Sequence, residues 1–138
     1  MTPILTVDNL KTHYFTSGGV VKAVDGVSFV VDKGQSVGIA GESGCGKSTL
    51  ALSLMRLIRG GDTVEGSIHL DGTSLLDMSK KDFNRVRWNK ISIISQAAMG
   101  ALNPVFTIGY QISEAIIDHW KISKADAWRR ARELLKQV

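Results

Sequence analysis

The sequence predicts an α/β fold in which a β-rich layer, antiparallel where its turns are tight, precedes a glycine-rich loop. Short valine-rich segments separated by turn residues fill roughly the first forty positions. Later segments instead repeat their apolar residues at helical spacing. The 138 residues are 43% hydrophobic and 22% charged. This balance is typical of one ordinary globular domain or a piece of a larger one, and it excludes disordered and collagen-like classes.

Most of the predicted strands lie before the loop. Asp8-Asn9 and Asp25-Gly26 are predicted to interrupt them, and turn residues follow at 16–19. A strand over 35–40 is expected to lead directly into the loop, and an alternating strand is expected over 91–95. The remaining predicted strands cover residues 4–8, 11–16, 20–24, 27–32 and 64–70, with a turn at 71–72.

Four helices are predicted from apolar periodicity and from the residues at their ends. The first is expected to run to Ile58, so that Arg56 and Arg59 complement the dipole at its C-terminal end. Pro104 forces the preceding residue into an extended conformation and so delays the third helix. The four helices are predicted to begin near Gly46, Ser79, Thr107 and Ser123.

Charge and cysteine content exclude several classes of protein. The net charge of +4 is only weak evidence for a polyanionic partner. Cys45 is the single cysteine, so the chain forms no intramolecular disulfide. The first residues do not resemble a secretory signal. Residues 91–113 carry no charge, but polar residues and a proline interrupt their apolar run, so no membrane span is predicted.

Residues 41–48 fit the phosphate-binding pattern of two glycines separated by four residues and followed by Lys-Ser. Glycine backbones let successive N–H groups turn toward one anion, and the following helix adds the positive end of its dipole. Lys47 adds a charge where the β and γ phosphates would lie, and Ser48 offers its hydroxyl to Mg²⁺. The alternative is a glycine-rich turn formed by chance, against which the flanking strand and helix argue. The predicted nucleotide-binding residues of this loop are Gly41, Ser43, Gly44, Cys45, Gly46, Lys47, Ser48 and Thr49.

A phosphate loop alone does not name the enzyme, because kinases, GTPases, helicases and transport ATPases share it. Here a long β-rich segment precedes the loop, and three stretches resemble the ATP-binding subunit of ABC transporters. Asn9–Tyr14 with Ala23–Ser28 resembles the family's opening β subdomain. Gly41–Leu50 resembles its phosphate loop, and Ile91–Gln96 resembles the strand and glutamine of its Q-loop.

A narrower resemblance follows in Leu102-Asn103-Pro104, Thr107-Ile-Gly and Gln111-Ile. These residues are similar to the dipeptide and oligopeptide importers, a branch that includes nickel importers. Ala97-Ala98 departs from the pattern, since many relatives have Asp-Pro there.

The resemblance implies a P-loop NTPase (RecA-like) core with an N-terminal antiparallel β subdomain, truncated within its helical region. The family's signature sequence, catalytic glutamate and switch histidine would lie further along the chain. The 138 residues are therefore expected not to hydrolyse ATP alone. The implied parts of this one nucleotide-binding domain are residues 1–40 and 62–72 (mainly β subdomain), 41–60 (phosphate loop and helix), 91–106 (Q-loop region) and 107–138 (start of the helical region).

The resemblance also implies roles outside the loop. Tyr14 matches the aromatic residue on which adenine stacks, while Phe15 must point to the opposite face of the strand. Gln96 matches the residue that meets Mg²⁺ or the attacking water. Lys47 and Gln96 are thus the expected catalytic residues, and Ser48 and Gln96 the expected Mg²⁺ ligands. Without the resemblance, a packed strand aromatic and an ordinary polar loop residue describe Tyr14 and Gln96 as well.

As a function, the resemblance implies the ATP-binding subunit of an importer of dipeptides or oligopeptides, with nickel as an alternative cargo. The expected partners are membrane permease subunits contacting residues 96–105, a second ATP-binding subunit and, indirectly, an extracytoplasmic substrate-binding protein. The subunit would lie peripherally on the cytoplasmic face of the membrane. Two alternatives remain, a nucleotide-binding fragment without turnover and a P-loop ATPase acting on nucleic acid. A nucleic-acid partner is not expected, because acidic residues are mixed with the basic ones in the last helix.

Overall fold

A computed structural model describes residues 3–95 and 98–138, with the backbone alone described at Ala98 and Met99. The chain divides into two compact units, Met1–Asn84 and Arg85–Val138. The N-terminal unit contains an antiparallel sheet with the strand order β2-β1-β3-β4. Its strands are β1 (Leu5–Thr16), β2 (Gly19–Val31), β3 (Gly61–Leu70) and β4 (Thr73–Ser74).

The two predicted breaks in the first strands are bulges inside continuous strands. Asn9 has a φ of 45°, and the pairing of β1 shifts register on either side of Leu10. The side-chain amide of Asn9 donates to Glu65 on β3, at 2.7 Å from Nδ2 to Oε1. The Lys11 ammonium lies 2.7 Å from the same carboxylate and holds the pKa of Glu65 below its usual value. The polar residues at which the sequence predicts an interruption lie in bulges. They stabilise these bulges because side chains on neighbouring strands hydrogen-bond to them.

The first helix, α1 (Lys47–Leu54), is shorter than predicted. Arg56 follows the helix and has a φ of 49°. Its Nη1 donates to the carbonyl oxygens of Leu75 and Met78, at 3.1 and 2.8 Å. Its guanidinium lies 4.9 Å from the centre of the Phe83 ring. The prediction that Arg56 complements the dipole of a last helical turn is therefore wrong, because contacts distant in sequence hold this side chain elsewhere.

Two further predictions are wrong, since neither residues 35–40 nor residues 91–95 form a strand. Only Ile91 makes an isolated bridge, to Arg87. A short apolar run predicts a strand, but a strand forms only where a neighbouring strand supplies partners for its backbone hydrogen bonds. The sheet of the described residues is antiparallel throughout and pairs with neither segment. Val37, Ile39, Ile93 and Ile94 consequently remain exposed.

The remaining helices begin where the sequence predicts. Ser79 precedes α2 (Lys80–Val86), and its hydroxyl accepts from the backbone N–H of Asp82 at 3.1 Å. Thr107 and Ser123 cap the other two helices in the same way. In the C-terminal unit these helices, α3 (Ile108–Trp120) and α4 (Lys124–Leu135), pack around Ile116, Ala127 and Ala131. Among the described residues, every helix is too short or too polar to cross a bilayer.

Candidate functional site

The glycine-rich loop lies between residue 40 and the start of α1, and its backbone has the conformations that the pattern predicts. Gly44 and Gly46 have φ angles of 80° and 96°, in the left-handed region that favours glycine. A Cβ atom on Gly46 would lie 2.1 Å from the carbonyl oxygen of Ala23 on β2, whereas one on Gly44 would meet open space. Gly44 is thus required by backbone conformation alone, and Gly46 by conformation and by close packing against the sheet.

The N-terminal end of α1 presents backbone N–H groups toward this loop. Gly46 is the N-cap residue and carries no side chain to accept from them, and no acidic residue occupies the first turn. The first N–H groups of a helix have no intrahelical acceptor, and the dipole makes this end positive. A helix end of this kind, preceded by a glycine-rich loop, suits a phosphate anion.

Lys47 reaches back across the loop. Its Nζ donates to the carbonyl oxygens of Gly41 and Glu42, at 2.7 and 2.5 Å, and lies 3.4 Å from Sγ of Cys45. Two neutral carbonyl groups at the start of the loop thus hold the ammonium. A phosphate oxygen in the loop would offer it a charged acceptor and a stronger hydrogen bond.

The other predicted loop residues have different exposures. Ser43, Cys45 and Ser48 are exposed, and Thr49 is half-buried. Mg²⁺ in nucleotide sites binds few protein oxygens and takes most of its ligands from phosphates and water. The exposed Ser48 hydroxyl, next to Lys47 in the first turn of α1, fits that limited role. Gln96, the other predicted Mg²⁺ ligand, lies outside the described residues.

Of the two neighbouring aromatic residues on β1, Tyr14 approaches α1 and Phe15 does not. The Tyr14 hydroxyl lies 3.5 Å from Oγ1 of Thr49 in the first turn of α1. Its ring is half-buried, packed so closely over Gly61 that a Cβ there would lie 2.9 Å from Cδ1 of the ring. Phe15 is 57% exposed, and the alternation of side chains places it on the opposite face of β1. Of the two aromatic residues, Tyr14 therefore faces the phosphate-loop helix.

A small cavity of about 210 Å³ borders the loop on the side of β2. Val24 and Leu50 on its wall are buried, whereas Cys45 and Lys47 belong to the loop itself. Neither this wall nor the packing of Ala23 against Gly46 is predicted from the sequence. No local pattern marks either, because both depend on the fold placing β2 beside the loop.

In the C-terminal unit, the side chain of Gln111 holds the segment 103–106 against α3. Its Oε1 accepts from the backbone N–H of Asn103 at 2.8 Å, and its Nε2 donates to the carbonyls of Asn103 and Phe106, both at 2.9 Å. Val105 and Phe106 remain 81% and 51% exposed. Three hydrogen bonds from one side chain therefore fix a short uncharged segment with its apolar side chains on the surface.

The loop, the helix that it opens and the returning lysine define the class of P-loop proteins. The ABC transporter family profile matches residues 24–138. The chain therefore belongs to the ABC transporter family, in the part of it that carries the ATP-binding cassette. This confirms the resemblance on which the sequence analysis relied.

Comparison with other proteins places the chain near one group of transporters. It is 44% identical, over all of its own length, to the oligopeptide transport ATP-binding protein AppD of Bacillus subtilis (strain 168). It is 43% identical, over 98% of its length, to the dipeptide transport ATP-binding protein DppD of Lactococcus lactis subsp. cremoris (strain MG1363). The chain spans only 43% and 39% of these two relatives.

Solved structures confirm the fold class. The ATP-binding cassette MJ0796, in a dimeric post-hydrolysis state bound to ADP and Pi, matches 96% of this chain with a TM-score of 0.80 and 25% identity. The match covers 56% of that protein. An ATP-bound bacterial Atm1-family ABC exporter matches 81% of the chain with a TM-score of 0.54. The predicted P-loop core with an antiparallel β subdomain is thus the fold of an ABC cassette.

Proposed function

We propose that this chain forms the phosphate-binding part of an ATPase subunit that drives uptake of dipeptides or oligopeptides. The observation that carries the proposal is the loop at residues 41–48, which leads through left-handed glycines into the start of α1, with the Lys47 ammonium returning to the loop carbonyls. Its similarity to AppD and DppD, named for oligopeptide and dipeptide transport, supports the class of cargo. Nickel is the alternative cargo from the same branch, and no residue described here favours it.

In this proposal the loop binds the β and γ phosphates of ATP. Lys47 exchanges its carbonyl acceptors for phosphate oxygens and stabilises the negative charge that they carry in the transition state. A water oxygen attacks the γ phosphorus, the bond to the bridging oxygen breaks, and ADP and inorganic phosphate leave. Mg²⁺ would be held by Ser48 and Gln96 and would neutralise phosphate charge.

Tyr14 would contribute the adenine platform. Its ring lies on β1 with its hydroxyl near Thr49, so a base stacked on it would be held close to the phosphate loop. Stacking of a base on an aromatic ring contributes about 1–3 kcal/mol in nucleic-acid sites. The part of the proposed nucleotide site that the structure describes therefore extends from Tyr14 to Lys47, within the N-terminal unit.

The proposed permease contact covers residues 96–105. The described part of this region supports it in two ways. Its end at Val105 is exposed and uncharged, as interface cores commonly are. The Gln111 side chain also fixes its backbone, which reduces the conformational entropy lost on docking.

Two more partners complete the proposal. A second ATP-binding subunit is proposed because the similar cassette MJ0796 was solved as a dimer. An extracytoplasmic substrate-binding protein would act indirectly, through the permease. The proposed location is peripheral, on the cytoplasmic face of the membrane.

The proposal is tested with the full-length protein and its permease. Release of phosphate from MgATP and uptake of a labelled dipeptide should both be abolished by Lys47→Ala and retained in Lys80→Ala, which removes an exposed lysine at the start of α2. The isolated 138 residues should release no phosphate, because they lack the family's catalytic glutamate and signature sequence. ATP hydrolysis by the isolated chain that Lys47→Ala abolishes would contradict the proposal that the catalytic glutamate and signature sequence are needed.

The two alternative functions have their own tests. A nucleotide-binding product without turnover would bind ATP in full-length form and release no phosphate. An ATPase acting on nucleic acid would bind DNA with a steep dependence on salt. On α4, Arg129 and Arg130 pair with Asp126 and Glu133 at 2.5 and 3.2 Å, which favours a solvated helix face over a nucleic-acid surface.

A further inference from the structure

A chain of hydroxyl groups runs through the N-terminal unit from the sheet to the phosphate-loop helix. Thr12 on β1 and Ser53 on α1 are 0% and 1% exposed, and their hydroxyl oxygens lie 2.8 Å apart. Ser53 Oγ also lies 2.7 Å from the carbonyl oxygen of Thr49. Thr63 on β3 lies 3.3 Å from Thr12 on the other side.

Each hydroxyl group has one proton to donate, and this fixes which group is donor and which is acceptor along the series of hydrogen bonds. A carbonyl oxygen only accepts, so Ser53 donates its single hydroxyl proton to Thr49. Ser53 must then accept from Thr12, and Thr12, having used its own proton, must accept from Thr63. Hydrogen bonds therefore lead from β3 through β1 into the first turn of α1, where Ser48 and Thr49 lie.

Two other contacts join the start of α1 to the sheet, the packing of Gly46 against the Ala23 carbonyl and the approach of the Tyr14 hydroxyl to Thr49. Leu50 and Ser53 are its buried residues, and Gly46 provides no side-chain cap at its start. The apolar contact at Leu50 is non-directional, so it restricts rotation of the helix about its axis less than a hydrogen bond does. The hydrogen bond between Ser53 and Thr12 is directional, so it limits that rotation and with it the direction of Lys47.

We propose that Thr12 and Ser53 are positioning residues for the phosphate loop, holding α1 at the rotation that points Lys47 and Ser48 at the nucleotide phosphates. This inference rests on the proposed function. Neither side chain contacts the phosphates, and both act through the helix. Valine at position 12 would keep the shape and the β preference of threonine while removing the donor.

The experiment measures the dissociation constant of MgATP for the full-length protein. Thr12→Val and Ser53→Ala should each raise it roughly tenfold, and Thr12→Ser, which retains the hydroxyl, should restore it. Thr6→Val is the control, since it makes the same change on the same strand outside the hydroxyl chain. If Thr12→Val fails to fold, a substitution at half-buried Thr63, the β3 end of the hydroxyl series, replaces it. Thr63→Val should raise the dissociation constant of MgATP about threefold.

A combined variant separates positioning from general destabilisation. Lys47→Ala should mask most of the effect of Ser53→Ala, because a misdirected helix costs little once the lysine is absent. Unchanged MgATP affinity in the Thr12 and Ser53 variants, no rescue by Thr12→Ser, or full additivity with Lys47→Ala would each overturn the inference. Failure of the wild-type protein to bind MgATP would overturn the proposed function and this inference with it.

Discussion

The molecule contains strand-like sequences of two kinds, and only one kind forms strands. The valine-rich segments between residues 5 and 31 pair as β1 and β2 across a short turn at Ser17-Gly18. The equally apolar segments 35–40 and 91–95 do not. The strands of this hairpin are joined by two residues, and β3 adds to β1 as a further antiparallel strand. Residues 35–40 and 91–95 are apolar enough for strands, but no strand of the described residues pairs with them.

This difference shows which parts of the fold the sequence can predict. The helix starts at Ser79, Thr107 and Ser123 were predicted correctly because a cap involves residues only three apart. The end of α1 was predicted wrongly because Arg56 bonds to carbonyls 19 and 22 residues away.

The candidate site divides in the same way. The loop pattern at 41–48 is local and is visible in the sequence, whereas the approach of the Tyr14 hydroxyl to Thr49 joins residues 35 positions apart. The packing of Gly46 on Ala23 and the pairing of Thr12 with Ser53 join residues at least 23 positions apart. They follow from how the strands and α1 pack, which no local pattern expresses.

The largest effect on the free energy of unfolding is expected for isoleucine, compared between the paired strand β3 and the unpaired segment 91–95. Ile68 on β3 is 0% exposed, whereas Ile94 in the unpaired segment is 94% exposed. Ile68→Ala should lower the free energy of unfolding by about 2–5 kcal/mol. Ile94→Ala should change it by less than about 0.5 kcal/mol. Urea denaturation of the 138-residue chain measures both, and equal losses would show that residues 91–95 pack in a way the comparison omits.

A smaller effect is expected at the loop glycines. Gly46→Ala combines a left-handed backbone with a contact of 2.1 Å to the Ala23 carbonyl and should destabilise the protein by about 3 kcal/mol. Gly44→Ala meets only the backbone restriction and should cost about 1 kcal/mol. Thermal unfolding distinguishes them. A reversed order would mean that β2 does not support the loop.

Labelling of Cys45 tests whether the loop keeps its shape next to the unpaired segment. The thiol is exposed and lies 3.4 Å from the Lys47 ammonium. Maleimide should modify it in the full-length protein with other cysteines removed, and saturating MgATP should slow the reaction severalfold by covering the loop. Equal rates with and without MgATP, or no labelling in either, would contradict an accessible thiol at the nucleotide site.

The smallest effect is expected at α4, where stability depends on a local cap. The Ser123 hydroxyl, 2.6 Å from the Asp126 carboxylate, and then Arg129 hold the pKa of Asp126 below its usual 3.8. Because the folded pKa is depressed, the stabilisation is present above pH 3.8 and is lost as pH falls through the folded value. Backbone chemical shifts of residues 124–128 should show fraying at low pH. Asp126→Asn should show weaker pH dependence, and identical profiles would exclude this cap.

The most direct test of the account is the affinity of the full-length protein for nucleotide with and without Lys47. Its ammonium should make charge-assisted hydrogen bonds to phosphate that contribute about 1.5–3 kcal/mol. Titration with a fluorescent ATP analogue should therefore show that Lys47→Ala raises the dissociation constant roughly 10- to 100-fold, while Lys80→Ala leaves it unchanged. The same dissociation constant in wild type and Lys47→Ala would contradict a nucleotide site at residues 41–48.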